Sequence, residues 1–532
     1  MKVAHEQKTP RPSADGAVKA RALAVFGTGS DVGKSVIAAG LCRLLHRAGV
    51  KVAPFKGQNM SLNAAVTADG GEIGRAQAVQ AEACGLPPHT DMNPILLKPE
   101  SDCRSQVIVQ GRVRGSYDAA DYFRFYDDWF AAVRSSYDRL ASAHDVIVIE
   151  GAGSAAEINL RDRDLANWPV AAWAGAQALL VADIDRGGVF AQVAGTLELL
   201  APEERRRVAG IVINKFRGDA ALFKDGVAWL ETRTGFTVSV LPWLRELELD
   251  QEDSVAVERR RDAIFTGQTV NIAVVLLPRM SNFTDYNALG AESDVVLRYA
   301  ASPEELAGAD VVILPGSKQT IADLAYLRSA GFVKRLEDHV GRGAELVGIC
   351  GGYQMLGREI LDPHGVEGGA SLAPICAPGL GLLDVVTELQ PDKRTLFVEA
   401  QPLHLGSAVT GAVSGYEIHA GRTRRLGAPP AFQVLRRLEG GEALAPSGEE
   451  QYDGATHRKL PVWGTYIHGL FDRPVFRRQW LNRLRGWKGL APVDLAASES
   501  VSARRASAID RWADHLERHL DIARIMTALQ RR

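Results

Sequence analysis

Cysteine is scarce. Cys42, Cys84, Cys103, Cys350 and Cys376 are the only five in 532 residues, and none stands at a pairing or metal-binding spacing. That scatter excludes a disulfide framework and a clustered thiolate site, and it leaves reduced thiols. Net charge is also missing: 62 lysines and arginines face 64 aspartates and glutamates, a balance of -2, so no global basic field points to nucleic acid as a partner. Long apolar runs are absent too. The most apolar stretch, residues 168–184, is interrupted by Pro169, Gly175, Gln177 and Asp183, and is expected in a core rather than in a membrane. Residues 1–20 carry Lys2, His5, Lys8 and Arg11 without an apolar block, so a disordered tail and a cytoplasmic location are expected instead of a secretory signal. Neither an internal repeat nor a low-complexity tract is visible.

What is present is an alternation of strands and helices. The length suits two or three domains. Strands are expected at 22–26, 50–55, 146–149, 179–182, 209–213 and 238–241 with helices between several of them, which predicts an α/β domain with a mostly parallel sheet over 21–245. The segment "ELELDQEDSVAVERRR" lacks core periodicity and reads as a linker within 246–270. Strands at 272–277, 311–314, 346–349 and 462–465 predict a second α/β domain over 271–482. An arginine-rich helical extension follows over 483–532.

Residues 24–45, "AVFGTGSDVGKSVIAAGLCRLL", nearly spell a phosphate loop, with five residues instead of four between Gly27 and Gly33. Strand, glycine-rich turn and helix stand in the required order. The N–H groups of Gly29 to Ser35 and the helix dipole would face a polyphosphate, Lys34 the outer phosphates and Ser35 a Mg²⁺ ion. "DVIVIEGAGS" ends a buried strand in Glu150, at the sheet edge where ligands of open α/β sheets bind. That carboxylate suits Mg²⁺, the alternative being an exposed strand-end acid. "GIVINKFRGD" places Asn214 at another strand end, where its amide either reads a purine edge of ATP or forms a turn.

The second domain contains "LVGICGGYQML", a strand running into a tight turn that exposes Cys350 at a helix start, as in a nucleophile elbow. The alternative is a buried structural cysteine. "WGTYIHGLFD" offers His468 as a base, and "VVILPGSKQT" offers Gly316 and Ser317, which with Gly351 would supply the N–H groups of an oxyanion hole.

These motifs, with "FKGQNMSLN" and "YEIHAGRT", resemble those of the cobyric acid synthases, glutamine-dependent amidotransferases of cobalamin biosynthesis. The resemblance runs from residue 22 to about residue 482. The loop "GTGSDVGKS" is similar to the longer loop of dethiobiotin synthetase and its relatives, which use ATP to activate a carboxylate. The second domain resembles triad-type (class I) glutaminases. The resemblance implies that Cys350 forms a glutamyl thioester, that His468 shuttles the proton, and that Lys34, Lys56 and Mg²⁺ on Ser35 and Glu150 offset the charge of phosphoryl transfer. It also implies a corrinoid substrate, adenosylcobyrinic acid a,c-diamide, whose b, d, e and g carboxylates become amides; cobalt belongs to that substrate. Asp183, Asp185 and Arg186 either line the corrinoid pocket or close a strand.

The sequence departs from the triad pattern at one position. The usual glutamate two residues after the histidine is Leu470. This weighs against CTP synthase, whose triad is complete. A cobyrinic acid a,c-diamide synthase has a different substrate-side loop, and a regulatory phosphate-loop ATPase would not need the cysteine elbow. No carboxylate is therefore expected to complete the Cys350–His468 pair. The only obvious stand-in is Glu417, which otherwise contacts substrate.

Overall fold

A computed structural model describes residues 20–244, 247, 249, 261–367, 374–445 and 448–530. Residues 1–19 of the expected tail and most of the expected linker lie outside them. The first sheet contains β1 (Arg21–Gly27), β2 (Val52–Phe55), β3 (Val146–Glu150), β4 (Gln177–Asp183), β5 (Val208–Phe216) and β6 (Val238–Pro242), in the order β6-β5-β4-β1-β3-β2. Every pair in it is parallel. Its strands are apolar on both sides because both faces are covered. Leu23 and Val25 join a core with Ile37 and Leu41 of helix α1 (Lys34–Arg47), while Ala24 and Phe26 join the opposite core with Trp168. A short helix, α2 (Arg75–Ala83), and a four-stranded sheet of residues 58–118 fill the connection between β2 and β3.

The second sheet contains β7 (Val270–Val275), β8 (Val295–Ala300), β9 (Val311–Leu314) and β10 (Glu345–Ile349). After β10 come helix α3 (Gly351–Leu356) and a long antiparallel pair, β11 (Val385–Pro402) and β12 (Val413–Arg425). Strands β13 (Ala455–Thr456) and β14 (Val462–Thr465) complete the second sheet in the order β8-β7-β9-β10-β14-β13.

Helices α4 (Pro474–Trp487), α5 (Val501–His519) and α6 (Ile522–Gln530) end the chain. Helix α5 returns to the first domain, where Trp512 Nε1 donates to Val36 O at 2.6 Å. Gly40 permits this approach, since a Cβ there would lie 2.3 Å from Leu516. The two domains meet over Ala64, Val66, Leu96 and Ile108 on one side and Tyr416 and Ile418 on the other. Among the described residues no helix is long and apolar enough to cross a membrane.

Candidate functional site

The phosphate loop joins β1 to α1, and a ring of carbonyls closes around its lysine. Lys34 Nζ donates to Gly29 O at 2.7 Å and to Gly153 O at 2.9 Å. Gly33 takes φ +103°, a conformation that suits glycine, and a Cβ there would collide with Asn214 Nδ2 at 2.1 Å. That amide nitrogen donates to Val32 O at 2.8 Å, so Asn214 braces the loop. Glu150, at the end of β3, is 1% exposed. One of its carboxylate oxygens accepts from Ser35 Oγ at 2.7 Å and Lys56 Nζ at 2.8 Å. The other accepts from Gln77 at 3.1 Å and Gln80 at 2.6 Å. Burial opposes ionisation of Glu150, but the adjacent Lys56 ammonium and these hydrogen bonds hold its carboxyl below the ordinary range. A hydroxyl and a carboxylate at a phosphate loop form a hard-oxygen donor set that fits Mg²⁺, with the Lys56 ammonium already seated as a cation on that carboxylate.

Beside Gly153 opens a cavity of 660 Å³. Met60, Phe123, Leu160 and Trp168 give it apolar walls, and its charged lining is of both signs, Arg161, Arg163 and Arg207 standing beside Glu157, Asp164, Glu203 and Glu204, with Arg161 paired to Glu204 at 3.3 Å. Asp183, Asp185 and Arg186 do not line it; Asp183 pairs with Lys215 at 2.8 Å, and Arg186 with Asp31 at 3.2 Å.

In the second domain Cys350 occupies the turn between β10 and α3 with φ 51° and ψ -108°, a strained backbone for a side-chain-bearing residue. The turn packs so closely on β9 that a Cβ at Gly352 would lie 2.0 Å from Leu314 O. Gly351 approaches the backbone nitrogen of Ser317, 2.8 Å from where its Cβ would be, and the equivalent point on Gly316 lies 3.2 Å from His468 Cε1. The expected oxyanion-hole residues therefore surround the cysteine and the histidine. Cys350 Sγ donates to Ile418 O at 3.7 Å, and Cys350 is also close enough to His468 to contribute to the rise of its pKa.

The expectation of a pair without a carboxylate is corrected. Asp285, in the 3-10 turn Phe283–Tyr286 between β7 and β8, places Oδ2 2.6 Å from His468 Nδ1. Its other oxygen accepts from Gly469 N at 3.1 Å and Tyr416 OH at 3.5 Å, and Tyr416 stacks on the imidazole at 5.3 Å. With Nδ1 engaged by the acid, Nε2 is the nitrogen left for the thiol. Burial disfavours a charged imidazole, but the Asp285 carboxylate overrides it, and with the Cys350 contact raises the His468 pKa to about 10. Glu417 is engaged elsewhere, with Arg437 at 2.9 Å and His419 at 3.3 Å. Leu470 is fully buried.

Sequence reasoning missed Asp285 because a single aspartate in a loop, 183 positions before its partner, carries no local signature. It also missed Gln77 and Gln80, whose i, i+3 spacing on α2 was the available signal. Arg75 on the same helix reaches into the second domain, donating to Tyr416 OH at 2.6 Å.

Residues 23–257 match the CobQ/CobB/MinD/ParA nucleotide binding domain family, and residues 271–476 match the CobB/CobQ-like glutamine amidotransferase domain family. The chain is 47% identical over 517 residues to a protein of Syntrophobacter fumaroxidans named cobyric acid synthase, covering 95% of this chain and 98% of that protein. Proteins of the same name are similar at 47% identity over 516 residues in Klebsiella pneumoniae (96% and 98% covered) and at 48% over 509 residues in Desulforudis audaxviator (95% and 98% covered).

Proposed function

The chain belongs to the cobyric acid synthase family, and from that premise we propose that it amidates corrinoid carboxylates with ATP and glutamine. The substrate is adenosylcobyrinic acid a,c-diamide, and its b, d, e and g carboxylates are the acceptors. The observation that carries this reading is the presence, on one chain and on facing domains, of a phosphate loop with Glu150 and of a Cys350–His468–Asp285 assembly.

Cys350 Sγ attacks the amide carbon of glutamine as the thiolate, its proton already residing on His468, where Asp285 stabilises it. N–H groups of Gly351 and the Gly316–Ser317 turn receive the charge that develops on the amide oxygen. His468 gives a proton to the departing ammonia and then activates the water that releases glutamate from the thioester. Asp285 keeps the imidazole in the required tautomer and balances its charge during both steps.

In the first domain a corrinoid carboxylate takes the γ-phosphoryl group of ATP, giving ADP and an acyl phosphate. Ammonia then displaces phosphate, so each cycle consumes one ATP, one glutamine and one carboxylate. Lys34 exchanges its bonds to Gly29 and Gly153 for bonds to phosphate oxygens, and Lys56 faces the same charge. Ser35 and Glu150 would hold Mg²⁺, which supplies charge neutralisation at the phosphates. Asn214 shapes the loop for the nucleotide. The 660 Å³ cavity beside Gly153, with its apolar walls, would receive the corrin ring.

The test is incubation with ATP, Mg²⁺, glutamine and a corrinoid carboxylate, followed by mass analysis. Four carboxyl-to-amide exchanges are expected. Glutamate and ADP released without an amidated corrinoid would overturn the substrate assignment.

A further inference from the structure

A second cavity, of 100 Å³, opens between the domains. Cys350, Gly351 and Ser317 form part of its wall, and Lys98 and Lys393 form another part. Lys98 comes from the first domain, on the strand Ile95–Pro99, and Lys393 from β11 of the second. Their ammonium groups converge on a single carboxylate, Glu72, each at 2.6 Å. Glu72 is 1% exposed and Lys98 5%. Among the described residues neither ammonium has a second carboxylate within ion-pair distance.

Two cations on one anion leave a surplus positive charge, largely shielded from bulk water, on the wall of the cavity that Cys350 also lines. Such a charge is costly unless a counter-charge arrives. The other ionisable groups of the wall do not supply one. Lys318 pairs with Glu100 at 2.9 Å, His419 with Glu417, and the Glu367 carboxylate accepts the N–H groups of Thr320 and Ile321 at 2.7 and 2.8 Å. The surplus is felt locally: burial, with Lys98 alongside, pulls the Lys393 pKa down to about 8 even though Glu72 opposes the change. Glu72, despite its burial, is held at about 2 by Lys393 and Lys98.

The cavity is too small for a nucleotide or a corrin ring. An amino acid whose side-chain amide reaches Cys350 has its α-carboxylate carbon roughly 5 Å from the amide carbon when extended, within the same cavity. We propose that Lys98 and Lys393 anchor the α-carboxylate of substrate glutamine. This rests on Cys350 being the glutaminase nucleophile. Because the anchor is drawn from both domains, glutamine is bound fully only where the two are docked.

The experiment compares the full-length wild type with Lys393→Met and Lys393→Arg, using glutamine, ammonium and γ-aminobutyramide, the glutamine analogue without the α-carboxylate. Lys393→Met is expected to raise KM for glutamine by on the order of 30- to 100-fold, as befits loss of a charged hydrogen bond. Synthesis from ammonium should be unchanged, Lys393→Arg should recover most of the affinity, and wild type and Lys393→Met should turn over γ-aminobutyramide equally. A KM for glutamine within about threefold of wild type, against the loss expected from a charged contact, overturns the anchor. So does an equal loss with γ-aminobutyramide, or a loss of ammonium-dependent synthesis, because either marks a structural role. If the wild type itself releases no glutamate, the glutaminase assignment fails first.

Discussion

The phosphate-loop region and the cysteine region share a plan, a strand feeding a glycine-rich turn and a helix, yet each stabilises a buried charge of opposite sign. In the first, Glu150 is kept ionised by Lys56, Ser35, Gln77 and Gln80. In the second, His468 is kept protonated by Asp285. A buried anion ringed by donors is prepared to meet a cation and phosphates. A buried imidazolium against a cysteine sulfur is prepared to give one proton to a departing amine. The turn supplies the geometry in both, and the neighbouring charge selects the chemistry.

The sharpest break between the regions comes from Cys350→Ala. It should abolish glutamine-dependent synthesis and leave synthesis from ammonium, both read as corrinoid amide formed. Failure of ammonium to rescue the variant would remove the division of labour. Next in size, Asp285→Asn should lower glutamate release by roughly 10²- to 10⁴-fold, since loss of a triad acid costs about 10⁴-fold in a serine protease and a thiol needs less assistance. Glu417→Gln should cost less than about 10²-fold in the same assay, well below a triad acid. Equal losses in these two variants would erase the assignment of Asp285 over Glu417.

Lys34→Ala and Glu150→Gln should each cost on the order of 10²-fold or more, and equally with glutamine or ammonium, because both act on carboxylate activation. Retained ammonium-dependent turnover at saturating ATP and Mg²⁺ would count against either residue. The smallest effect is on stability. The folded-state pKa of His468, about 10, lies above its ordinary value of 6.5, so the native state binds this proton more tightly. The stabilisation from the His468–Asp285 pair is then complete below pH 6.5 and is lost as pH rises through 10. Urea titrations at neutral pH and above pH 10 should show a decline in the wild type that Asp285→Asn lacks; an identical decline in both would break the linkage to this pair.

The regions also differ in how much of them the sequence reveals. In the phosphate loop, Gly27 to Ser35 are contiguous in the chain, so the motif and its strand and helix were legible together. All six strands of the first sheet were legible as well, being apolar on both faces. Cys350 announced itself through its glycines, which the close packing on Leu314 and Ser317 requires. Asp285 did not, because the fold alone brings the loop after β7 to His468. The long β11–β12 pair also escaped, its strands being only half buried and mixed in polarity. The return of α5 onto α1 rests on Trp512 and Leu516 meeting Gly40, contacts nearly 500 positions apart that no local pattern encodes.

The proposed reaction delivers ammonia made at Cys350 to a carboxylate activated at Lys34 in the same enzyme. The most direct test supplies glutamine labelled at its amide nitrogen, with ATP, Mg²⁺, the corrinoid a,c-diamide and unlabelled ammonium below the level that supports synthesis, and weighs the amides formed. Labelled nitrogen is expected at all four new amides. Unlabelled amides in proportion to the bulk ammonium, or labelled ammonia released with no amidated corrinoid, would contradict it.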